Sequence, residues 1–218
     1  MDTILKYTYL ILGFLPLILC FICYKKGRKF NKSLINFLPF IVLMFFATIV
    51  ELNFFKFNVR NWIRLYDFLE FYTLLAFFYK ELRLKKIYSL LALVYFTLFI
   101  YLLLFKWDNK SIADQPLIIS SVILVLTSVI LWFMNVFKNF DEKPLYKRAS
   151  FYFVGVILLY ILSTSLSFLS IDFFWENNRE NAYILKTINY FFNILSRIII
   201  VITIYKSFEN NKNITLNN

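Results

Sequence analysis

A chain of 218 residues that is 61% hydrophobic, 22% aromatic and only 17% charged carries more apolar surface than one soluble core of that length can hide. A second apolar solvent is needed, and lipid supplies it. The formal net charge of +11 is dispersed in short clusters between apolar runs, which leaves no basic face on a soluble domain, so no nucleic-acid partner is expected.

The first apolar run, Ile4–Tyr24, has no basic leading segment and no small-x-small cleavage site, and it is long enough to span a bilayer. It is expected to be an uncleaved first span. Cys20 and Cys23 sit near its basic end as a C-x-x-C pair. The chain has no histidine and no third cysteine, so the expectation is two thiols in a membrane helix, with no metal and no cofactor.

Six further runs follow at Leu34–Phe55, Trp62–Tyr79, Ile87–Phe105, Leu117–Phe137, Ala149–Ile171 and Ala182–Tyr205. The third is the weakest by hydropathy. Pro116 is placed to open the fifth, where a missing N–H costs nothing. The connections after runs one, three and five, with the C-terminal tail, hold fifteen Lys and Arg, against five in the connections after runs two, four and six. Strict alternation of that asymmetry predicts seven transmembrane helices, N-terminus out and C-terminus in. Trp62, Trp107 and Trp175 fall at predicted outer ends and Trp132 near an inner one, as headgroup-seeking indoles should. Asp108, Asp114, Asp172 and Glu176 are expected in outer loops.

The fold class is therefore an all-α integral membrane protein, a single seven-helix bundle over residues 1–206, with a short polar cytoplasmic tail at 207–218 expected to lack structure. Membrane lipid is its surroundings, and the heavy Lys, Asn, Ile and Phe usage points to a bacterial inner membrane.

Function should lie where the lipid rule is broken. In the third run, a rise of about 1.5 Å per residue sets Glu70 at the midplane and Asp67 roughly 4–5 Å outward, on one face. Arg64 and Arg60 follow above Asp67. A charge at mid-bilayer costs at least about 2.5–3.5 kcal/mol unless it meets water or a partner, so this face must point into the bundle. In the seventh run, Lys186, Asn189, Asn193 and Arg197 form one stripe at i, i+3, i+7 and i+11. Glu51 lies near the outer end of the second run, Tyr160 near the centre of the sixth with Ser163, Thr164, Ser165 and Ser167 above it, and Thr127 and Ser128 in the fifth.

These positions predict an outward-facing polar cavity closed near Arg197. An acidic wall (Glu51, Asp67, Glu70) should face a basic and amide wall (Lys186, Asn189, Asn193, Arg197), with Arg64 and Tyr160 beside them. The competing reading is a structural carboxylate–arginine network between spans three and seven. A small-ligand sensor, receptor-like and signalling through a separate cytoplasmic or membrane partner, is the first functional expectation. The alternatives are a small-solute or proton-coupled carrier and an intramembrane lipid-modifying enzyme using the paired carboxylates. Only Gly13 and Gly155 lie within spans, which disfavours the close-packed moving helices of a carrier. Without histidine or a Cys–base pair, nucleophilic catalysis has little support, and no catalytic residue is assigned.

Overall fold

The computed structural model describes residues 2–52, 59–107, 110–138, 144–177 and 179–215. They are helical almost throughout: α1 (Asp2–Lys25), α2 (Lys32–Glu51), α3 (Val59–Leu82), α4 (Lys85–Phe105), α5 (Lys110–Lys138), α6 (Ala149–Asn177) and α7 (Arg179–Thr215), with a 3₁₀ turn at Leu145–Lys147 before α6. Each apolar run has become one helix. Gly27, at φ +69°, ends α1 in the left-handed conformation that a glycine adopts without strain, and the Arg28 N–H returns to the Cys23 carbonyl at 3.1 Å. Asn31 caps α2 by accepting from the Ser33 N–H at 3.2 Å.

Several helix ends differ from expectation. α5 begins seven residues before Leu117, so Pro116 lies inside it and Asp114 is a buried helical residue instead of a loop one. The Pro116 carbonyl accepts from Ser120 Oγ at 2.7 Å, the back-bond a helical serine makes to the residue four before it. α6 runs to Asn177 and so includes Asp172 and Glu176, which were expected in a loop. The stretch expected to be an unstructured tail instead continues α7 as far as Thr215, and 216–218 lie outside the described residues, as do 53–58 and Asp108.

Among the described residues, five stretches are long and apolar enough to cross a membrane: Tyr7–Lys25, Lys32–Glu51, Lys85–Phe105, Asp114–Lys138 and Arg179–Ser207. α3 carries too many charges to qualify. Large apolar side chains point outward along these helices, among them Ile11, Leu93, Leu104 and Phe105. An outward apolar surface of this extent identifies a helical membrane protein.

α1, α2, α3, α5, α6 and α7 pack as a closed ring in which each touches the next and α7 returns to α1, while α2 also reaches across to α6. α4 lies outside the ring against α3 and α5, and only 17% of its apolar stretch is buried. Cross-links fix the directions of the helices. Tyr9 near the start of α1 donates to Glu51 at the end of α2 (3.1 Å), and Asn36 near the start of α2 donates to Glu81 at the end of α3 (2.9 Å). Trp107, just past α4, donates to Asn61 at the start of α3 (2.9 Å), and Tyr88 at the start of α4 donates to Ser128 late in α5 (2.8 Å). Neighbours in sequence therefore run antiparallel. Lys25, Lys32, Lys80, Lys85, Lys138 and Arg148 all collect at the end opposite Glu51 and Trp107. Between the two ends the helices interlock through aromatic rings: Phe37 stacks on Phe153 at 4.5 Å and meets Phe77 edge-on at 5.5 Å, and Phe71 stacks on Tyr95 at 3.6 Å.

Gly13 lets α1 approach both of its neighbours. A Cβ there would strike Thr48 Oγ1 of α2 and come within 2.5 Å of Arg197 Nη1 of α7. Neither neighbour gives way readily, since Thr48 is fully buried and donates to Met44 O at 2.8 Å while Arg197 is held at its far end. Gly13→Ala should destabilise the bundle by about 1–3 kcal/mol, the usual range for overpacking. Thr48→Ala, which removes the nearer obstacle, should recover part of that loss in the double variant; additive losses in detergent melting curves would disprove the contact.

Candidate functional site

The i, i+3 spacing of Asp67 and Glu70 puts both carboxylates on the inner side of α3, where they line a cavity of about 450 Å³ enclosed by α1, α2, α3, α5, α6 and α7. The cavity runs from Glu51 and Trp62, near one end of the bundle, down to Glu70, Tyr160 and Asn193 at mid-depth. Its polar lining comes from Glu51, Asp67, Glu70, three tyrosines (Tyr9, Tyr66, Tyr160), the hydroxyls of Ser121, Thr164 and Ser165, and the amides of Asn189 and Asn193. Ala47, Val50, Ile63, Ile118 and Ile161 supply apolar wall.

At the base of the cavity the Tyr66 and Tyr160 hydroxyls bond each other at 2.8 Å and face the Glu70 carboxyl. Glu70 is only 6% exposed, yet its Oε1 has no hydrogen-bond partner, and Asp67 Oδ2 is likewise buried and unpartnered. Asn193 uses its amide hydrogens within α7, donating to Asn189 Oδ1 at 2.7 Å and to the Asn189 carbonyl at 2.9 Å. It therefore does not satisfy the carboxylates.

The expected basic wall is not there. Lys186 is exposed on the outside of α7 and does not line the cavity. Arg64 is completely buried, but it turns away from Asp67: its Nε meets Asp114 Oδ1 at 2.5 Å, its Nη1 donates to the Trp107 carbonyl, and its guanidinium lies 4.5 Å from the Trp107 ring centroid. Helical side chains lean toward their own N-terminus, so a long arginine reaches the turn above it rather than the carboxylate three residues below. There it also satisfies a carbonyl left open at the end of α4. Arg197 lies beneath the cavity with its guanidinium 3.5 Å from the centre of the Tyr9 ring and its Nη1 donating to Tyr9 O at 2.5 Å. The expected carboxylate–arginine network between the third and seventh helices is thus replaced by Arg64–Asp114 on one side and Arg197–Tyr9 on the other.

Of the residues expected at the site, Glu51, Asp67, Glu70, Tyr160, Asn189 and Asn193 come together, Arg197 lies just below, and Arg64 and Lys186 lie elsewhere. Tyr9, Trp62, Tyr66 and Ser121 were not expected there. Tyr66 stands four residues before Glu70, a spacing that places it on the same helical face. Tyr9 had no such signal, because only the packing of α1 against α7 brings it in. Among the described residues no group of three His, Cys, Asp or Glu side chains converges as a metal-ligand set. The cavity is instead a polar chamber with aromatic walls in which two carboxyl oxygens, Asp67 Oδ2 and Glu70 Oε1, lack a donor.

Replacing Arg64 should be far more damaging than replacing Lys186. Arg64→Met leaves Asp114 buried without its partner and should lower unfolding stability by about 3–5 kcal/mol, whereas Lys186→Met should stay within about 0.5 kcal/mol. Equal losses in detergent unfolding would contradict the placement of the two side chains.

No family model matches the chain, and no curated protein or solved structure matches it significantly either.

Proposed function

We propose that the chain crosses the membrane seven times, with its N-terminus and the cavity on the outer side, and that the cavity receives a small polar ligand in the manner of a receptor or sensor. The antiparallel order of neighbouring helices and the gathering of Lys and Arg at the end opposite the cavity support this orientation. α3 can span despite its charges because Arg64 is ion-paired and both carboxylates face inward. The observation that carries the ligand reading is the pair of unpartnered acceptors, Asp67 Oδ2 and Glu70 Oε1, in a chamber large enough for a small molecule. Phe37, Phe40 and Phe153 interlock between this chamber and the basic end, with Phe40 against the Tyr160 ring at 5.6 Å, which suits a signalling bundle better than a transport path. The signal then passes to a partner at the basic end.

Two measurements test this. In intact cells a membrane-impermeant maleimide should label Lys106→Cys and spare Lys86→Cys, both positions being exposed and the native Cys20 and Cys23 buried. The reverse pattern would invert the orientation. In detergent, some compound in a panel of small metabolites should raise the wild-type melting midpoint, and Glu70→Gln should lose that shift while keeping its own stability. If Glu70→Gln simply melts early and nothing shifts either protein, the cavity is a structural feature.

A further inference from the structure

Resting on the reading of the cavity as a ligand site, we infer that its ligand is a small organic primary ammonium. Among the described residues the lining contains three carboxylate side chains and no lysine or arginine. Arg197, the nearest cation beneath, is covered by the Tyr9 ring and engaged with the Tyr9 carbonyl. A neutral or anionic ligand would enter an uncompensated acidic chamber, while a cation supplies the missing charge. The two unpartnered oxygens, Asp67 Oδ2 and Glu70 Oε1, both need a donor hydrogen. A primary ammonium carries three N–H donors and a quaternary one carries none. Trp62 and Tyr66 line the same cavity as the acids, and aromatic rings attract cations. A bare metal ion does not fit: the described residues offer it no three-ligand set, and about 450 Å³ is space for an organic body against Val50, Ile63 and Ile118. The ammonium chemistry has two sources, a water-soluble amine and the headgroup of an aminophospholipid.

The test is calorimetric titration of the full chain in phosphatidylcholine nanodiscs with 2-phenylethylamine, its neutral analogue 2-phenylethanol and its N-trimethylated analogue. The amine should bind, and both analogues should bind at least about tenfold more weakly, a comparison made on the wild type alone. Asp67→Asn and Glu70→Gln should each weaken amine binding by about tenfold or more, and Lys186→Gln should leave it unchanged. Weaker apparent binding in phosphatidylethanolamine nanodiscs would identify the lipid headgroup as the source, and equal binding a soluble amine; both outcomes uphold the ammonium. Equal binding of the alcohol, or of the trimethylated cation, would overturn the assignment. Absence of amine binding would do the same. If the amine fails while some neutral or anionic metabolite gives a Glu70-dependent melting shift, the ammonium is overturned and the ligand site stands. If both series fail, the site itself is overturned.

Discussion

A charged side chain on a helix in lipid must find a partner or turn inward, and α3 carries Arg64, Asp67 and Glu70 within two turns. Each step of three residues turns about 60° around a helix, so the three cannot share one direction. Arg64 takes the outermost direction, toward Asp114 and the exposed carbonyl end of α4, and is fully buried there. That anchor sets the rotation of α3. Asp67 and Glu70 then face the middle of the ring, Glu70 toward the tyrosine pair shared with α6. Turning the Arg64 side chain back toward Asp67 would strand Asp114 and the Trp107 carbonyl together.

The second anchor works from the opposite wall. Arg197 could have neutralised the acids from α7, but its guanidinium lies against the Tyr9 ring and on the Tyr9 carbonyl. Gly13 makes this possible by letting α1 sit close to both α2 and α7, and the result is a floor of arginine under tyrosine. Because Arg64 and Arg197 are engaged with α1, α5 and the Trp107 carbonyl, Asp67 and Glu70 face no lysine or arginine among the described lining residues of the cavity.

Buried acceptors are normally paired, and Asp67 Oδ2 and Glu70 Oε1 are a surplus left at the chamber. The proposed ammonium ligand would turn that surplus into hydrogen bonds and charge balance at once. Beneath the chamber the rings of Phe37, Phe77 and Phe153 interlock and pack the bundle toward its basic end.

Much of the architecture was legible because it follows from local pattern. Apolar runs of about 20 residues can only be helices in lipid, since every backbone N–H and C=O must be satisfied within the segment. The i, i+3 spacing of Asp67 and Glu70 likewise dictated a shared inward face, and the same reasoning brought Glu51, Asn189, Asn193 and Tyr160 to it. Helix ends were less legible: Pro116 reads as a start, but α5 begins earlier because the residues before it tolerate a helix and Asp114 gains Arg64 by joining it. What the tertiary structure alone decided was which partner each long side chain chooses. The sequence assigns Arg64, Lys186 and Arg197 a depth along their helices, but depth does not determine direction. An arginine can reach several neighbours from one Cα, and the choice depends on carbonyls, rings and carboxylates brought close by other helices. Those neighbours turned an expected mixed acidic and basic wall into an acidic chamber.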